Sequence, residues 1–175
     1  MTLVIVLLVV LLALMLLGWR ARKRRQSAIA APLGVPTDPG ATVGEFDVLY
    51  VASTVGGEPL NRIAVRGLGF RSRATVTVTA SGVILDLRGE TPVFIPAADL
   101  REVTRATWTI DRVVEEGGLV LLAWNLGSTA APGSPASATP SPTPTAVDSY
   151  LRLAQSQELI DALISILPIS TGRKA

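Results

Sequence analysis

Arg73-Ala74-Thr75-Val76-Thr77-Val78-Thr79-Ala80-Ser81-Gly82-Val83-Ile84-Leu85-Asp86-Leu87-Arg88 is the stretch that decides the fold. In its first half Thr75, Thr77 and Thr79 fall on one face, and Ala74, Val76 and Val78 on the other. That period of two belongs to a half-buried strand. Ser81-Gly82 supplies a tight turn, after which Val83, Leu85 and Leu87 alternate with Ile84, Asp86 and Arg88. Two alternating runs around a short turn predict an antiparallel hairpin.

The pattern continues on both sides. Phe46 to Ala52 is rich in strand formers, and Gly89-Glu90-Thr91-Pro92 turns the chain into Val93-Phe94-Ile95. Ala106, Trp108 and Ile110 alternate against Thr107, Thr109 and Asp111. Glu115-Glu116-Gly117-Gly118 then leads into Leu119 to Leu126, an apolar strand containing Trp124, and Ser149 to Leu153 reads as one more strand. Strands at this spacing predict a mainly β fold, an antiparallel meander curling into a roll or barrel. Ser156 is the expected cap of a helix from Gln157 to Leu167, with Glu158 in its first turn. Gln157, Glu158, Asp161 and Ser165 share one face of it, while Leu159, Ile160, Leu163, Ile166 and Leu167 cover the other, and Pro168 ends it. Such an amphipathic helix suits the open end of a β-roll.

Two segments break the pattern. Residues 128–146 hold five prolines among Ala, Ser, Thr and one Gly, with no charge. They bury too little apolar surface to offset their ordering cost, so a disordered insertion is expected, most simply a tolerated surface loop. Gln26 to Thr42, with Pro32, Pro36 and Pro39, reads as a linker with a mean reach of about 25 Å. The expected organisation is therefore an apolar helix over 1–19, a basic stretch and linker over 20–43, a folded domain over 44–167 and a tail over 168–175.

Leu3 to Leu17 contains only Leu, Val, Ile, Ala and Met. With Thr2, Gly18 and Trp19 it would reach about 27 Å as a helix, close to a hydrocarbon core of roughly 30 Å. Arg20, Arg22, Lys23, Arg24 and Arg25 follow at once, and no cation precedes the run. A cleaved signal peptide carries its charge in the opposite order, and a buried core helix is rarely so uniformly apolar. The reading is a single-pass anchor, with Trp19 and the five cations at the membrane boundary. The positive-inside rule puts the N-terminus outside and the domain in the cytoplasm, at the inner membrane.

The basic character is local to that boundary. Five of the sixteen cations lie in it, which leaves eleven against fourteen carboxylates, a net charge of −3. A nucleic-acid-binding domain carries a basic excess of its own, so no nucleic-acid partner is expected. There is no Cys and no His, and the only lysines are Lys23 and Lys174. Disulfides, thiolate chemistry, Cys/His zinc sites, haem ligation and imidazole catalysis are excluded, and no cofactor or metal is expected.

The ordered set Arg73 to Val78, Gly82-Val83, Arg88-Gly89-Glu90, Phe94 to Leu100, Asp111 to Val114 and Gly118 to Trp124 resembles the pleckstrin-homology-like (PH-like) domain of small single-pass membrane proteins from actinobacteria. The resemblance covers about 44–167 together with the helix before it. It implies a PH-like barrel with one C-terminal helix, tethered to the inner membrane, in a family without an established activity.

Arg62, Arg66, Arg71 and Arg73 form the cationic cluster of the folded part. Arg71 and Arg73 are two apart on a strand, and guanidinium suits bidentate phosphate binding, so these four are candidates for anionic headgroups. The simpler account is that surface arginines pair with nearby acids or stay solvated. Trp108 and Trp124 fit burial better than a ligand pocket. Asp111, Glu115 and Glu116 sit at a turn, where carboxylates are solvated, and Gly67-Leu68-Gly69 lacks the strand–loop–helix setting of a phosphate loop. The expected function is a non-enzymatic, membrane-anchored interaction module for a protein partner or lipid headgroups. The alternative is an accessory subunit of a transport or export complex that associates through the apolar helix.

Overall fold

The computed structural model describes residues 2–25, 29–106, 118–127 and 144–168. In chain order these form α1 (Thr2–Arg25), β1 (Thr42–Val55), β2 (Glu58–Arg62), β3 (Ser72–Thr79), β4 (Gly82–Leu87), β5 (Val93–Pro96), β6 (Leu100–Ala106), β7 (Leu119–Leu126), β8 (Thr145–Arg152) and α2 (Ser156–Ile166). The hairpin read from residues 73–88 is β3 and β4, paired from Ala74↔Leu87 to Thr79↔Gly82. Its turn needs the glycine, because a Cβ at Gly82 would strike the Ile95 carbonyl on the next strand.

The strands form one antiparallel sheet in the order β5-β4-β3-β1-β8-β7-β6, with β2 also on β1. β1 belongs to both halves. Its first part pairs with β3 as far as Tyr50↔Ser72, and its second part pairs with β8 from Leu49↔Arg152 to Val55↔Val147. A register shift between Tyr50 and Ala52 lets the strand bend from one half into the other. The two strands at the ends of the order, β5 and β6, are joined by a single 3-10 turn, Ala97–Asp99. So short a join between opposite edges requires the sheet to curl into a roll.

Alternation fills that roll. Val76, Val78, Val83, Leu85, Val120, Leu122, Trp124 and Leu151 point inward and are buried, and Leu159, Ile160 and Leu163 of α2 pack against them. Burying a side chain of this size contributes about 1.5–3 kcal/mol, which is what holds the helix on the roll. The amphipathic division expected of residues 157–167 is thus present. The N-cap is Gln155, without a side-chain cap bond, and Ser156 is the first helical residue.

The structure departs from the sequence reading in four places, the first being β6, which runs over Leu100–Ala106 where the expected strand began at Ala106. β2 carries no alternating signal and was not foreseen. Thr145 and Ala146, at the end of the proposed insertion, begin β8, where Leu126↔Thr145 and Asn125↔Ala146 complete the ladder. Most important, residues 29–41 do not hang free as a spacer. Ile29 and Ala30 pack on the core, and Ala30 lies so close to Gly127 that a Cβ there would come within 2.7 Å. Leu33 bridges Phe94 on β5, with Phe94 N–H donating to Leu33 O at 2.8 Å. Ser81 Oγ donates to Pro39 O, and Ala80 N–H to Ala41 O at 2.9 Å. The prolines remove donors, so this strap makes one bridge where a strand would make a ladder. Beyond Ala106, the alternating strand expected over 106–111 with Trp108, the cluster Asp111, Glu115 and Glu116, residues 128–143 and the tail from 169 lie outside the described residues.

Candidate functional site

The four arginines of the folded part do not share one place. Arg62 ends β2 opposite Thr54, half-buried, and its Nη2 donates to Val51 O at 3.3 Å. Val51 lies between the pairing of β1 with β3, which stops at Tyr50, and its pairing with β2 at Thr54. The guanidinium therefore fills a gap in the β-ladder, a structural role. Arg73 lies on the outer face of β3, in an open depression lined also by Asp47, Thr75, Asp86 and Arg88. Asp47, Thr75 and Asp86 are in register across three strands, and Thr75 Oγ1 donates weakly to Asp47 Oδ1 at 3.4 Å. Two acids and two arginines, Asp47, Asp86, Arg73 and Arg88, thus share this depression.

Arg66 and Arg71 lie instead on the connection between β2 and β3, both exposed. That connection is pinned from within. Ile63 and Leu68 are fully buried, and Ile63 N–H donates to Ser53 O at 2.8 Å. Leu68 N–H closes a turn onto Val65 O at 3.2 Å, with Arg66 (φ 60°) and Gly67 (φ 79°) at its centre. Positive φ at both central residues is the type I′ pattern and sets Arg66 at the tip. On either side of these pins a large apolar side chain faces solvent, Leu60 on β2 and Phe70 before β3, each 77% exposed. The segment 58–73 carries four arginines against one acid, Glu58. Of the four, Arg66 and Arg71 stand apart from the ladder gap and the β3 depression, and the Glu90 carboxylate lies against Gly67 at the tip of the turn.

Beneath it runs a buried chain of side-chain hydrogen bonds. Trp124 Nε1–H donates to Ser149 Oγ at 3.0 Å, and Ser149 Oγ lies 2.7 Å from Ser53 Oγ. The Tyr50 hydroxyl lies 2.8 Å from Ser53 Oγ and 2.9 Å from Leu68 O. An indole N–H only donates and a carbonyl only accepts, so the direction is fixed. Ser149 donates to Ser53, Ser53 to Tyr50, and Tyr50 to Leu68 O. Every buried proton on the path has one acceptor, and the last bond ties the arginine-bearing segment to the core. Burial pushes the Tyr50 hydroxyl up to about 12, only partly offset by its bond to Ser53 and the Arg62 charge. Burial also holds the Tyr150 hydroxyl above its ordinary value.

Among the described residues no three acidic side chains converge on one point that could hold a metal ion. The relay joins neutral groups and is closed to solvent. Of the expected boundary residues, Trp19 and Arg20 are exposed at the end of α1, and the side chains of Arg22, Lys23, Arg24 and Arg25 lie outside what is described. Sequence reasoning named Arg66 and Arg71 but missed Leu60 and Phe70 beside them. An apolar residue following the Gly67-Leu68-Gly69 run was the available signal.

A family model described as bacterial PH domain-like matches residues 29–163. A search of curated proteins produced no match.

Proposed function

Because this chain belongs to the bacterial PH domain-like family, we propose that it is a non-enzymatic interaction module held at the cytoplasmic face of the inner membrane by α1. The observation that carries this reading is α1 itself. Its window Val4–Ala21 has a mean hydropathy of 2.6 and no share buried against the rest of the molecule. A soluble protein would bury such a helix, and water alone leaves it without a partner. The block from Arg20 to Arg25 supports the cytoplasmic orientation by the positive-inside rule. The partner class suggested by the family is a protein or a lipid headgroup, and the exposed Arg66 and Arg71 suit an anionic one.

A reporter active only in the cytoplasm, fused after Ala175, tests topology, while carbonate extraction of membranes tests integration. The expected result is a cytoplasmic signal and a chain that stays in the pellet. A silent reporter on a chain that stays in the pellet reverses the orientation, and a chain that washes off removes the anchor.

A further inference from the structure

The outer face of the sheet over β1, β3 and β4 carries its charges in two rows. Asp47, Thr75 and Asp86 are aligned across the three strands by the pairs Asp47↔Thr75 and Thr75↔Asp86. Two residues further along the same face Leu49 pairs with Arg73, and Arg88 N–H donates to Arg73 O at 3.1 Å. One row is thus acidic and the next basic, about 7 Å apart along the strands, with neighbouring columns about 5 Å apart. Glu45, opposite Thr77, extends the acidic side by a row, and Glu90 lies beyond the basic side, against Gly67. Asp47, Arg73, Asp86 and Arg88 are all exposed, and among the described residues none of them makes an ion pair.

We infer that this face is the contact between two copies of the chain, packed face to face about a two-fold axis running across the strands, between the two rows. That rotation carries each row onto the other. Asp86 then lies over Arg88 of the other copy in the same column, and Asp47 lies one column from Arg73 of the other copy. The symmetry repeats both contacts. A two-fold along the strands would set acids over acids, so the charge pattern selects one packing. It also selects the occupant. A partner of one sign, such as a nucleic acid, an anionic lipid surface or a basic peptide, attracts one row and repels the other. The partner that fits carries both signs in reversed order at the same spacing, and this chain's own face does so. Thr75, between the two aspartates, is small and half-buried, so it does not hold two such sheets beyond the usual spacing of about 10 Å.

The test is the mass of the full chain in detergent as a function of its concentration, by analytical ultracentrifugation. The expected result is a dimer at low salt that dissociates as salt is raised, because exposed charge pairs are screened. Asp86→Arg reverses two contacts at once and raises the dissociation constant at least about tenfold. Asp86→Arg combined with Arg88→Asp restores the pattern and with it the dimer, a rescue that a folding defect would not give. The chain has no native cysteine, so a spin label can be placed at Thr77→Cys alone. Position 77 lies three residues from the axis, which puts the two labels roughly 20–30 Å apart. A chain that stays monomeric at every concentration overturns the proposal. A dimer untouched by Asp86→Arg overturns it by placing the association elsewhere, in α1 for example. A double variant no tighter than the single one overturns it as well.

Discussion

At the scale of single residues, the relay from Trp124 to Leu68 makes the sharpest predictions. Ser149→Ala removes the acceptor of the Trp124 indole and the donor to Ser53 together, in a site without solvent. Leaving buried donors unpaired costs about 1–3 kcal/mol, measurable as a fall in the urea midpoint with an unchanged slope. The tyrosines give a pH signature. Tyr50 ionises near 12 in the fold and at 10.0 when unfolded, so the unfolded state loses protons first as pH rises. Stability is complete below pH 10 and declines between 10 and 12, by roughly 2–3 kcal/mol from this group. The chain has two tyrosines, both raised, so absorbance at 295 nm should rise at higher pH in the folded protein than in the urea-unfolded chain. None of this was legible in the sequence. Ser53 and Ser149 look like ordinary polar members of alternating strands, and only the pairing of β1 with β8 brings them together.

At the scale of elements, what could be read was whatever had a period. The β3–β4 hairpin, β5, β7 and the apolar face of α2 all follow from alternation or helical spacing. β2 and the strap could not be read this way, because Glu58–Arg62 has no alternating pattern and residues 29–41 are dominated by Pro, Gly and Ala. Their order comes from tertiary partners: Thr54 and Val55 for β2, Phe94 and Gly127 for the strap. The strap also covers the edge of β5, which would otherwise offer unpaired backbone groups to other chains. Gly127→Ala should loosen it, since the new Cβ meets Ala30 at 2.7 Å and the backbone there has φ 82°. The expected readout is faster hydrogen exchange of the Phe94 amide, with Val76 and Leu85 unaffected. Unchanged exchange at Phe94 would show that the strap is held from elsewhere. Of the candidate site, Arg66 and Arg71 were legible from composition, while Arg62 needed the ladder gap at Val51 to reveal its structural use.

For the whole molecule, strand periodicity with a terminal amphipathic helix was enough to give the architecture. The closure was less visible, because β8 returning to β1 depends on contacts far apart in the chain. The connection 127–144 between Leu126 and Thr145 is eighteen residues, yet it joins adjacent antiparallel strands. Replacing it by a four-residue turn should stabilise the fold by roughly 1 kcal/mol through loop-closure entropy, read by thermal or urea denaturation. A loss of stability would show that the long connection makes contacts of its own.

The sharing of β1 between the two half-sheets also sets a timetable for synthesis. Ser53 meets Ser149 across 96 residues. A ribosome adding about 5–20 residues each second delivers the second serine roughly 5–20 s after the first. By then β3, β4 and β5 are available and can complete their side of β1, but its other edge waits for β8. During those seconds the nascent chain is an open sheet with an unpaired strand at its margin, the form of the protein most exposed to misassociation.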